Sequence, residues 1–74
     1  MSETKSDKFT RIAEARTNKI IDMIKLLGNC SNKTVYEYSK EDVRKIFNAI
    51  DEELRLAKNK FESTELSNKK FKLK

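Results

Sequence analysis

Apolar residues in the first part of the chain fall at Phe9, Ile12, Ala13, Ile20, Met23, Ile24 and Leu27, at spacings of three, four and seven. That spacing puts them on one face of an α-helix. Ser6 or Asp7 is placed to cap the start, and Gly28 is placed to end it in the left-handed conformation. A helix is therefore predicted over residues 7–28. A second stripe, Val43, Ile46, Phe47, Ile50, Leu54, Ala57 and Phe61, predicts a helix over 40–62. Ser39 is its natural N-cap. Glu41 and Asp42 at its start and Lys58 and Lys60 at its end suit the helix dipole, and Glu41–Lys45 and Asp51–Arg55 are expected as i, i+4 ion pairs.

Between the stripes, Asn29-Cys30-Ser31-Asn32-Lys33-Thr34 is rich in turn formers. Val35-Tyr36-Glu37-Tyr38 alternates like a short strand, but a lone strand has no partner, so 29–39 reads as an ordered loop. Tyr36 and Tyr38 either cover the end of a helical core or present a recognition surface. The expected organisation is a flexible N-terminus over 1–6, a helical domain over 7–62 and a basic tail over 63–74.

The stripes fit each other in reverse order. Leu27 facing Val43 sets Ile24 against Ile46, Ile20 against Ile50, Ala13 against Ala57 and Phe9 against Phe61, each pair of numbers summing to 70. An antiparallel two-helix hairpin satisfies that relation. Arg16 falls inside the first stripe, opposite Leu54. It is expected either to pair with Asp51 or Glu53 across the helices or to stand in a groove facing a phosphate or carboxylate. Two helices share a single seam, and the chain has neither a disulfide nor a metal ligand set to reinforce it. A homodimer forming a four-helix bundle is the expected remedy, with Ile21, Leu26 and Leu56, which lie off the stripes, as the further contact surface. A different protein partner would bury the same residues.

Composition narrows the chemistry. The 74 residues carry a net charge of +5, with one Gly, one Cys, no Pro and no His. No apolar run exceeds two residues, which argues against a membrane span or a signal-peptide core. A lone Cys30 suits a reducing, cytoplasmic setting. Without His, neither a zinc site nor ordinary acid–base catalysis has its groups, and Cys30 has no base to activate it. Asp51-Glu52-Glu53 splays around a helix and reads as a solvated face. One Gly cannot build a phosphate-cradling loop. No enzyme, metal or cofactor is expected.

The charge is uneven. Lys69, Lys70, Lys72 and Lys74 against Glu65 give the last twelve residues +3, and Arg11, Arg16, Lys19 and Lys25 against Glu14 and Asp22 give 9–28 +2. Such a tail either solubilises the chain or attracts nucleic acid, an acidic protein or anionic lipid. The ten-residue connection is too long for a helix-turn-helix. Arg11, Lys19, Lys25 and the four tail lysines would therefore touch phosphate without reading sequence.

The segments Arg11-Ile12-Ala13-Glu14-Ala15-Arg16, Leu27-Gly28-Asn29-Cys30-Ser31-Asn32, Tyr36-Glu37-Tyr38-Ser39-Lys40-Glu41-Asp42-Val43 and Lys45-Ile46-Phe47-Asn48-Ala49-Ile50 resemble small helical proteins of Gram-positive bacteria encoded on plasmids, phages and integrative elements. The resemblance covers about residues 9–61 and implies no functional residues. It implies a bacterial cytoplasmic setting and a task in DNA handling or in regulating a host or element protein. The sequence thus points first to a nucleic-acid-binding accessory factor. The alternative is a protein-binding inhibitor or adaptor that works through Ile21, Leu26, Leu56, Tyr36 and Tyr38.

Overall fold

The computed structural model describes residues 2–70, with side chains as far as Thr64. These residues form two helices, α1 (Lys5–Asn29) and α2 (Lys40–Lys70), and no strand. The chain divides into two units, Met1–Glu37 and Tyr38–Lys74, with one helix in each.

In the first unit, α1 begins two residues before the predicted start, because Thr4 rather than Ser6 or Asp7 is the N-cap. The Thr4 backbone is extended (φ −73°, ψ 166°), and its Oγ1 accepts the Asp7 N–H at 2.9 Å. That bond satisfies one of the free amides of the first turn. The C-terminus also departs from expectation. Gly28 stays inside the helix, and no described residue has positive φ. The chain winds tighter instead. The N–H groups of Cys30, Ser31 and Asn32 donate to the carbonyls of Leu27, Gly28 and Asn29 at 3.0, 3.1 and 3.4 Å. Three-residue turns of this kind occupy the last carbonyls without a left-handed residue. Asn32 then organises the loop. Its Oδ1 accepts the Thr34 N–H at 3.0 Å and the Thr34 hydroxyl at 2.6 Å, while its carbonyl accepts the N–H groups of Val35 and Tyr36. A side chain that mimics a backbone turn accounts for the order of this segment.

In the second unit, Ser39 caps α2 as its sequence predicts. The helix then runs eight residues past the predicted end at 62, to Lys70. Residues 62–70 contain neither Gly nor Pro to stop it. The hydroxyl of Thr64 donates to the Lys60 carbonyl at 2.9 Å and so satisfies itself along the helix. The first part of the expected tail is therefore helical, and residues 71–74 lie outside the described residues.

Among the described residues none is buried. Ile12, Ala13, Leu27, Tyr38 and Ile50 are half-buried, and the rest of both stripes is exposed.

Candidate functional site

On α1, Phe9, Ile20, Met23 and Ile24 present an apolar arc of about 100°; Ile20 is 53% and Met23 60% exposed. On α2, Val43, Ile46, Phe47, Leu54 and Phe61 occupy an arc of about 100°; Phe47 and Leu54 are each 45% exposed. Contiguous apolar surface of this kind marks an interaction site. The off-stripe candidates are exposed too. Ile21 and Leu26 flank the α1 stripe from opposite sides. Leu56 stands on the polar side of α2, in a shallow open depression shared with Glu53, Ala57, Lys60 and Thr64. Tyr36 is exposed in the loop of the first unit, and Tyr38, in the second, is half-buried.

The basic candidates are not equivalent. Arg11 is clamped by Glu3, its Nε and Nη2 donating to the two carboxylate oxygens at 2.8 and 3.1 Å. That bidentate bond raises the Arg11 pKa above its ordinary value. Lys19 and Lys25 are exposed. Helical geometry sets them about 120° apart with Asp22 between them, which interrupts the positive face. The backbones of Lys69 and Lys70 belong to the last turn of α2; Lys72 and Lys74 lie outside the described residues. Arg16 on α1 and Asp51 and Glu53 on α2 are all exposed.

Along α2 the ion pairs are i, i+3 rather than the predicted i, i+4. Arg44 reaches Glu41 at 2.8 Å, leaving out Lys45, and Arg55 takes Glu52 with two bonds of 2.6 and 3.1 Å, leaving out Asp51. Arg55 grips both oxygens of Glu52 with its planar guanidinium, whereas Arg44 holds Glu41 by one bond. The Glu52 contact raises the Arg55 pKa above its ordinary value.

Cys30 is an exposed free thiol whose Sγ lies 3.9 Å from the Leu26 carbonyl oxygen. Among the described residues no group of His, Cys, Asp and Glu could hold a metal ion, and no helix is long and apolar enough to cross a membrane. Sequence reasoning missed two residues, Thr4 and Glu3. The Thr4–Asp7 spacing was a readable signal, whereas nothing in the sequence marks a carboxylate eight residues before an arginine as its clamp. Compared with known proteins, the chain matches no family model, no curated protein and no solved structure.

Proposed function

We propose that the protein is a non-enzymatic, protein-binding regulator, an inhibitor or adaptor that acts by covering the apolar faces of its helices with helices of a partner. The observation that carries this reading is the exposure of both stripes, with no described residue buried. Exposed aliphatic and aromatic surface contributes nothing until it leaves water, and each fully buried large side chain then contributes about 1.5–3 kcal/mol. Self-association would supply part of that burial, two copies forming a four-helix bundle. The regulator opens Ile21, Leu26, Leu56 and Tyr36 to its target.

The test is affinity capture of the full chain with and without nuclease. A partner retained after nuclease treatment and lost with Ile21→Asp or Tyr36→Asp supports the regulator reading. A partner lost with nuclease overturns it.

The second reading, a nucleic-acid-binding accessory factor, is favoured by the net charge of +5 and by the exposed Lys19 and Lys25. It requires retention on DNA that falls steeply with salt. Absence of retention on duplex and single-stranded DNA at low salt removes it.

A further inference from the structure

The residues of α1 repeat at an interval of eleven. Lys5, Lys8, Phe9, Ile12 and Ala13 return as Arg16, Lys19, Ile20, Met23 and Ile24, each cation on a cation and each apolar residue on an apolar one. Eleven residues of α-helix turn about 20° past three full turns, so both kinds of residue run in near-straight bands along α1. Lys5, Lys8, Arg16 and Lys19 share a band about 80° wide that overlaps one edge of the apolar stripe. All four are exposed and make no ion pair among the described residues. The acidic residues of the helix, Asp7, Glu14 and Asp22, fall in an arc centred opposite the stripe, together with Lys25 and the Glu3-bound Arg11.

The occupant of this face must therefore be apolar beneath and anionic at its edge. Duplex phosphate has the charge but no apolar surface for Phe9, Ile20 and Met23. A partner helix following a heptad seam would need apolar residues seven and fourteen before Ile24, where α1 has Thr17 and Thr10. An anionic bilayer surface meets both demands and asks for no register. The apolar face sinks to the level of the acyl chains, and the four cations extend along its edge to the lipid phosphates. We infer that α1 lies flat on an anionic lipid surface, stripe down, with Asp7, Glu14 and Asp22 turned to water. The inference goes beyond the regulator reading. Lipid and a partner helix exclude each other on α1, so a membrane leaves the regulator Leu56 and Tyr36 for its target.

The test uses the full chain and vesicles of phosphatidylcholine, alone or mixed equally with phosphatidylglycerol. The chain is expected to sediment with the mixed vesicles at low salt, less as salt rises, and not with phosphatidylcholine alone. Because the sequence has no Trp, Phe9→Trp reports on the stripe by itself, and its emission is expected to shift to the blue on the mixed vesicles. Lys19→Glu and Lys25→Glu change the charge equally, one beside the stripe and one opposite it. Lys19→Glu is expected to weaken vesicle binding about tenfold, and Lys25→Glu by no more than about threefold. No binding to the mixed vesicles at low salt overturns the inference, as does equal binding to both kinds of vesicle. Equal weakening by the two lysine substitutions, or a Phe9→Trp emission unmoved by the mixed vesicles, also overturns it. Retention on duplex DNA that Lys19→Glu weakens, without vesicle binding, assigns the basic band to nucleic-acid phosphate instead. A chain that captures its nuclease-resistant partner but ignores the vesicles defeats this inference alone. One that binds the vesicles but captures nothing defeats the regulator reading alone.

Discussion

Ser39 and Asp42 each hold the other's backbone amide. The Ser39 Oγ accepts the Asp42 N–H at 3.1 Å, and the Asp42 Oδ2 accepts the Ser39 N–H at 2.9 Å. This reciprocal box satisfies two free donors at the start of α2 and puts a carboxylate at the positive end of the helix dipole. Ser39→Ala is expected to cost about 1 kcal/mol of helix stability, read as a lower midpoint in a melt followed by circular dichroism. Thr4 makes the first half of such a box, its Oγ1 accepting the Asp7 N–H. Thr4→Ala is therefore expected to lower α1 helicity by a comparable or smaller amount. A melt unchanged by Ser39→Ala would show that the cap is not a determinant of α2.

Gly28 separates two accounts of how α1 ends. A glycine in the left-handed region would resist replacement, since any side chain there is strained. Gly28 instead has ordinary helical backbone, and an added Cβ would meet nothing within 4 Å. Gly28→Ala is accordingly expected to stabilise the chain by about 0.5–1 kcal/mol through reduced freedom of the unfolded state. A destabilised melt would restore the left-handed cap.

What was legible in the sequence follows from which signals are redundant. Both helices were readable because seven apolar positions repeat in each, and the start of α2 because Ser39 stands alone before its stripe. The start of α1 was not, since Thr4, Ser6 and Asp7 compete within one turn, and only the hydrogen bond shows that Asp7 donates to Thr4 rather than capping itself. Gly28 misled because glycine suits a left-handed end without requiring one, and Cys30 and Ser31 close the helix by a tighter winding instead. The end of α2 carried no stop signal at all. For the candidate site, the stripes were legible and the inequality of the basic residues was not, because the Glu3 clamp on Arg11 depends on where the capped N-terminus leads the chain.

That clamp gives the nucleic-acid reading a direct test. Glu3 and Arg11 are both exposed, so losing their contact is expected to change stability by no more than about 1 kcal/mol. Glu3→Gln nevertheless releases a guanidinium to other anions. Retention on DNA should strengthen at low salt, and its logarithmic salt slope should steepen by about one, as expected for one added phosphate contact. An unchanged slope in a titration of binding against salt would exclude Arg11 from any phosphate contact.

Leu54 and Leu56 separate the two uses of α2. They are two residues apart and similarly exposed, at 45% and 40%, yet helical geometry turns them about 160° from each other. Leu54 lies in the stripe, between Ile50 and Ala57. Leu56 points off the stripe, and the depression it shares with Glu53, Lys60 and Thr64 runs to the stripe's edge at Ala57. An aspartate at Leu54 would carry a charge into the seam, where an unpaired ion costs several kcal/mol. Leu54→Asp is therefore expected to abolish self-association and to replace cooperative melting with a broad loss of helicity. Leu56→Asp should leave sedimentation and melting within about 0.5 kcal/mol of the natural chain, as a surface change does, while reducing capture of the nuclease-resistant partner. If both substitutions disperse the assembly, the polar side of α2 also lies in the self-association interface. The regulator's target would then have to be sought on Ile21, Leu26 and Tyr36 alone.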